Sequence, residues 1–143
     1  MKKKFLIASH GKLAAGLQSS LEILANKGKD VEIINAYLTE EDYTPQITAF
    51  IASIQADEQG VIFTDLFGGS VNQKVVTQVM AVKKKNIFVI SNTNLAIVLS
   101  LLLSPEDTFT RESITTTISD GQVTLVSLDL STGKADEDLN AFF

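Results

Sequence analysis

No cysteine occurs among the 143 residues, so disulfides, thiolate metal sites and cysteine nucleophiles are excluded at once. Long hydrophobic runs are missing too, since no apolar stretch approaches the roughly 20 residues that span a bilayer. Lysines precede Phe5-Leu6-Ile7-Ala8, but Ser9, His10 and Gly11 end that run too early for a signal peptide. A cytoplasmic address is therefore expected by default. Positive charge is in deficit: the formal net charge of −5 and pI near 4.8 argue against general binding to nucleic acid or anionic membrane. The two lysine runs, Lys2–Lys4 and Lys83–Lys85, lack interleaved aromatics and read as solvated ends ahead of buried strands. Repeats, low-complexity segments and linkers are absent as well.

What is present suits one globular domain with a core of ordinary size, at 45% hydrophobic and 20% charged residues. Phe5–Ser9 is a continuous apolar run, the pattern of a strand buried on both faces. Leu13, Leu17, Leu21 and Leu24 then recur at helical spacing until Gly28 supplies a stop. Val31–Ile34 reads as a second strand. Thr44 before Pro45 reads as a helix N-cap, with Ile47, Phe50, Ile51 and Ile54 forming the apolar stripe.

Gly60 opens a third strand, Val61–Thr64, which runs into Asp65-Leu66-Phe67-Gly68-Gly69-Ser70 and a helix through Met80. Ile87–Ile90 is a fourth strand and Asn94–Leu103 a buried helix. Another helix is expected from about Glu106 to Ile118, although Thr115-Thr116-Thr117 is poor helical sequence. Val123–Leu128 reads as a fifth strand, and residues 131–143 as an acidic tail beyond a single domain of residues 1–130.

Repeated βα units with short connections imply a doubly wound, mainly parallel α/β sheet with helices on both faces, its four parallel strands in the order 2-1-3-4. Such sheets bind ligands beyond the carboxyl ends of their strands. Three strand ends concentrate polar and glycine residues: Ser9-His10-Gly11, Asp65–Ser70 and Ser91-Asn92-Thr93-Asn94. Strands one and three are typically adjacent, so His10 and Asp65 are expected to face each other.

Those residues suit phosphoryl transfer. One nitrogen of a neutral imidazole can carry a phosphoryl group while the other keeps its proton, and a carboxylate such as Asp65 would hold that tautomer. Gly68-Gly69-Ser70 at a helix start offers N–H groups and a hydroxyl to an anion. Each piece alone has an ordinary structural explanation: an incidental histidine, a helix-capping aspartate, a glycine pair forced by a turn. Their convergence on one face of the sheet is what carries the reading.

The same segments resemble the mannose-family enzyme IIA of the phosphoenolpyruvate-dependent sugar phosphotransferase system. That family has a strand ending in a small residue, then His-Gly and a helix of small and apolar residues, here Phe5–Ala14. It also has a strand, an aspartate, an aromatic residue and Gly-Gly-Ser before a helix, here Thr64–Ser70. Its Asn-Leu-Pro pattern after strand four is matched only in part by Asn94-Leu95-Ala96. The resemblance spans roughly residues 1–128.

It implies that His10 takes a phosphoryl group from the phosphohistidine carrier protein HPr and passes it to a IIB protein, with membrane IIC and IID components involved indirectly. It implies that Asp65 orients His10, that Gly11, Phe67, Gly68, Gly69 and Ser70 surround the phosphoryl group, and that no metal or organic cofactor is needed. It further implies a homodimer in which the fifth strand pairs antiparallel at the edge of the partner's sheet. The phosphotransfer subunit of dihydroxyacetone kinase shares the fold and the histidine segment. From another class, a receiver domain would need an acidic pair where Ser9-His10 stands. A non-enzymatic flavodoxin-like module binding a flavin or nucleotide also fits the fold alone, although the first loop here lacks Gly-x-Gly-x-x-Gly.

Overall fold

The computed structural model describes residues 1–129. Its elements alternate as β1 (Lys2–His10), α1 (Leu13–Ala25), a 3-10 turn at Gly28–Asp30, β2 (Val31–Ala36), α2 (Thr44–Ser53), β3 (Glu58–Thr64), α3 (Ser70–Val82), β4 (Ile87–Ile90), α4 (Leu95–Leu102) and α5 (Arg111–Asp120). The four strands form one parallel sheet in the order β2-β1-β3-β4. This is the expected doubly wound α/β architecture.

Side-chain alternation along the central strands divides the core in two. Phe5, Ile7, Val61 and Phe63 face one side, where they pack with Ala14 and Leu21 of α1, Ile97, Val98 and Leu101 of α4, and Ile114 of α5. Leu6, Ala8 and Ile62 face the other, against Ile47, Phe50 and Ile51 of α2 and Val71 and Val75 of α3. Both faces of β1 and β3 are thus covered, which explains why Phe5–Ser9 and Val61–Thr64 read as unbroken apolar runs.

Several boundaries differ from the sequence reading. β1 and β3 start earlier because Lys2–Lys4 pair in register with Glu58–Gly60. Nor is either lysine run purely solvated. Lys4 Nζ donates to Ser53 O at 2.8 Å and lies 3.4 Å from Glu58, while Lys84 Nζ donates to Ile51 O and Ile54 O, both at the carboxyl end of α2. Thr44 is the first residue of α2 rather than its cap, and its N–H is taken by the Asp42 carboxylate at 2.9 Å.

Helix α1 ends at Asn26, in the left-handed region at φ 56°, two residues before the expected Gly28. A Cβ at Gly28 would stand 2.9 Å from Glu22 Cβ, so close packing explains that glycine. Helix α5 starts at Arg111 because Thr110 and Ser113 form a reciprocal capping box there. The expected fifth strand is not formed in the chain by itself: Val123–Leu128 belongs to no strand, and Val123, Leu125 and Leu128 are more than four-fifths exposed. Backbone groups pair as a strand only against a neighbouring strand, and none of the described chain lies beside this one. The acidic tail at 131–143 lies outside the described residues. Among those described, no helix is long and apolar enough to cross a membrane.

Candidate functional site

The carboxyl ends of β1, β2 and β3 meet at one edge of the molecule. His10 is the last residue of β1, and Gly11 turns the chain at φ 60°, in the left-handed region that favours glycine, before α1 begins. Two bonds lock this turn: Gly11 N–H donates to Ala36 O at 2.8 Å, and Ala14 N–H to the buried Ser9 hydroxyl at 2.8 Å. His10 is thereby held at the strand end with its side chain 43% exposed.

Asp65 follows β3, and its side chain is only 8% exposed. Its Oδ2 accepts from His10 twice, from the backbone N–H at 2.7 Å and from the ring through Nδ1 at 2.8 Å. Its Oδ1 accepts from Leu66 N–H at 2.9 Å. Burial alone would raise the Asp65 carboxyl, but the His10 backbone and ring hydrogen bonds, the charge of His10 and the Leu66 N–H outweigh it and leave the group below the usual carboxylate range. Asp65 stays ionised, and in the neutral ring, with the proton on Nδ1 facing this carboxylate, Nε2 keeps a lone pair.

That lone pair faces Ser70, whose hydroxyl oxygen is 3.2 Å from Nε2. Ser70 is the first residue of α3. The opening N–H groups of a helix have no partner within it, and they carry the positive end of its dipole. Gly69 brings this helix end close: a Cβ there would lie 3.8 Å from His10 Cε1 and 3.2 Å from Leu66 O. Gly68 sits at φ 78°, where a Cβ would strain the backbone.

The loop after β4 braces the one after β3. Thr64 Oγ1 bonds Asn72 at 2.9 Å and Ser91 at 2.8 Å, and Phe67 N–H donates to Asn92 Oδ1 at 2.8 Å. Asn94 caps α4 by accepting from Ile97 N–H. His10, Asp65, Gly69 and Ser70 thus converge as the sequence suggested. Gly11 and Phe67 stand in the same two loops, with their N–H groups already donated to Ala36 and Asn92. Asp65 does not cap α3.

Sequence reading missed Tyr37 and Tyr43. The Tyr37 ring lies 5.2 Å from the His10 ring, and its hydroxyl bonds Ser70 Oγ at 2.9 Å and the Tyr43 hydroxyl at 3.2 Å. The signal was available, because Tyr37 directly follows β2 and the rule of strand carboxyl ends applies there too. Leu13 at the start of α1, and Leu38, Leu66 and Phe67 in the connections at these strand ends, are half-exposed or more. No three His, Asp or Glu side chains among the described residues converge to hold a metal ion. An open cavity of about 690 Å³ lies at the opposite end of the sheet, beside Met1, Glu58 and Asn86, and holds none of these residues.

Residues 4–118 match the family model EIIA-man, the PTS system fructose IIA component. Comparison with curated protein sequences gives no match. Among solved structures, a Klebsiella pneumoniae protein assigned as a phosphoenolpyruvate-dependent sugar phosphotransferase system permease is 32% identical, with 83% of this chain and 85% of that one covered at a TM-score of 0.72. The phosphotransferase component EIIA of Streptococcus agalactiae is 25% identical, with 91% and 98% covered at a TM-score of 0.68. The mannose/sorbose specific IIA subunit of Enterococcus faecalis, 24% identical with 90% and 97% covered at a TM-score of 0.70, shares the fold. The strand-end histidine, the Gly-Gly-Ser helix start and the match over most of the chain lead to one conclusion: this chain belongs to the mannose/fructose enzyme IIA family and is a component of a sugar phosphotransferase system.

Proposed function

We propose that His10 Nε2 is the phosphoryl carrier of this IIA component, loaded in the cytoplasm by phospho-HPr and unloaded to a IIB protein. The observation that carries the reading is the two-sided hold on the imidazole. Asp65 takes the Nδ1 proton at 2.8 Å, while Nε2 faces a hydroxyl and a helix N-terminus.

In the transfer, the phosphorus–nitrogen bond of the donor phosphohistidine breaks as the bond to Nε2 forms. The donor leaves as neutral imidazole. The Nδ1 proton stays in place, so the His10 ring becomes a cation bearing the phosphoryl group, and the Asp65 carboxylate offsets that charge. The phosphoryl oxygens are received by the Ser70 hydroxyl and the first N–H groups of α3, with Gly68 and Gly69 leaving room for them. Passing the group on reverses these events. Because donor and acceptor are chemically alike, positioning and charge stabilisation supply the catalysis. The exposed Leu13, Leu38, Leu66 and Phe67 form apolar ground on which a carrier protein would dock.

The same reading includes a homodimer. β4 is an edge strand, and the exposed apolar Val123, Leu125 and Leu128 would pair antiparallel along the partner's edge.

The test is an intact mass after incubation with phosphoenolpyruvate, enzyme I and HPr, with each component omitted in turn. One phosphoryl group is expected, stable in alkali, lost in acid and absent from His10→Ala. No gain in mass beside an active HPr control would turn the reading to a binding module of the same fold.

A further inference from the structure

Tyr37 has a backbone that its side chain does not favour. Its φ is 68°, in the left-handed region, where a bulky aromatic residue is an outlier and glycine or asparagine is usual. Neighbouring bonds impose the conformation: Ala36 O accepts from Gly11 N–H, and Asn35 Oδ1 accepts from Ala15 N–H at 3.2 Å. The turn aims the phenol at the site rather than at solvent, although the residue is 54% exposed.

Hydrogen counting then fixes the direction of a chain of bonds. In the neutral ring, with Nδ1–H donated to Asp65, Nε2 can only accept, so the Ser70 O–H donates to it. Having spent its one hydrogen, the Ser70 oxygen must accept from Tyr37, and the Tyr37 oxygen in turn from Tyr43. Tyr43 is buried, and its ring packs edge-on against Tyr37 at 5.5 Å, so the far end of the chain is anchored.

We infer that Tyr37 is a positioning residue, which holds the Ser70 hydroxyl as a donor aimed first at Nε2 and then at an oxygen of the phosphoryl group. It rests on the proposed phosphoryl transfer at His10 and adds to it a second layer built from β2 and the loop after it. When the phosphoryl group arrives, Ser70 loses Nε2 as acceptor and turns to a phosphoryl oxygen while still accepting from Tyr37. No atom is exchanged within this chain of hydroxyls.

Tyr37→Phe keeps the ring and removes the hydroxyl. Transfer from phospho-HPr at saturating donor should slow about 2–10-fold, the worth of one neutral hydrogen bond, with the half-saturating donor concentration unchanged. In protein labelled with ¹⁵N-histidine and carrying no phosphoryl group, the Nε2 resonance of His10 should move while the Nδ1 resonance stays. In a Ser70→Ala background, Tyr37→Phe should have no further effect on either reading, because Tyr37 acts through Ser70. Additive losses in the double variant, or an unmoved Nε2 resonance, would overturn the inference. If the wild type accepts no phosphoryl group, the transfer reading fails while the resonance still decides the role of Tyr37. Should Tyr37→Phe fail to fold, Tyr43→Phe carries the same test with an effect of about 2–3-fold, again absent beside Ser70→Ala.

Discussion

Asp65→Asn separates the two tasks of the carboxylate. The amide is nearly isosteric, but it has one acceptor where Asp65 has two, and the site presents three donors. With its oxygen at the Oδ2 position, the amide keeps the His10 backbone and ring bonds, at 2.7 and 2.8 Å in the wild type, and faces Leu66 N–H with a donor. With the opposite orientation it keeps Leu66 and donates to Nδ1, which forces the proton onto Nε2.

Either way one N–H is left unmet, at about 1–3 kcal/mol of stability. For a chain of this size that is a fall in Tm of about 2–12 °C. The rate depends on which orientation wins. In the first, a charged hydrogen bond worth roughly 1.5–3 kcal/mol becomes a neutral one worth roughly 0.5–1.5, and transfer slows on the order of tenfold. In the second, the nucleophilic nitrogen is protonated, and the loss approaches the roughly 10⁴-fold of a wrong-tautomer histidine. Rapid-quench measurement of transfer from phospho-HPr, alongside thermal unfolding, reads both numbers, and the histidine nitrogen resonances identify the orientation. A variant that transfers within twofold of the wild-type rate and melts at the same temperature would refute the assigned role of Asp65.

Three further outcomes are expected. Gly68→Ala should destabilise the fold by about 1–2 kcal/mol in urea unfolding, from backbone strain at φ 78° alone, since nothing lies within 4 Å of the added methyl; an unchanged midpoint would count against that strained turn. Leu125→Glu should convert a dimer to monomer in sedimentation velocity and leave the helical circular dichroism unchanged, whereas an unaltered dimer would remove Val123–Leu128 from the interface. Stability should fall in acid. Asp65, Asp42 beside the Thr44 N–H and hydroxyl, Glu58 beside the Gln55 N–H, and Asp107 beside the N-terminal amine all lie below the usual carboxylate range when folded. The folded state therefore binds fewer protons, so their contribution is present above an ordinary carboxyl pKa of about 4 and is lost as pH falls through the folded values. Urea unfolding from pH 7 to pH 2 measures this, and Asp65→Asn should make the decline shallower.

The parallel sheet and its strand order were legible in the sequence, because burial on both faces leaves continuous apolar runs and short βα connections restrict topology. His10, Asp65 and Ser70 were legible as candidates for a related reason: all three follow buried strands on one face of the sheet, where such folds bind ligands, although each alone has an ordinary structural explanation. Element ends were less so. Glu58 is charged yet mostly buried, and only register against Lys2 and Lys4 makes it part of β3. Val123–Leu128 alternates like a strand, but a strand also requires a neighbour, which no pattern within one segment can supply.

By itself, then, the sequence determined the residue chemistry and the periodicities that assign helix and strand, since both are local. Tertiary structure alone decided that Tyr37 reaches Ser70, 33 positions away. It also decided that Asp65 takes both His10 donors and that Asn92 claims the Phe67 N–H. Such contacts depend on how separate strands end beside one another and on how each turn aims its side chain, and hydrogen-bond geometry is sensitive to fractions of an ångström that sequence spacing does not encode.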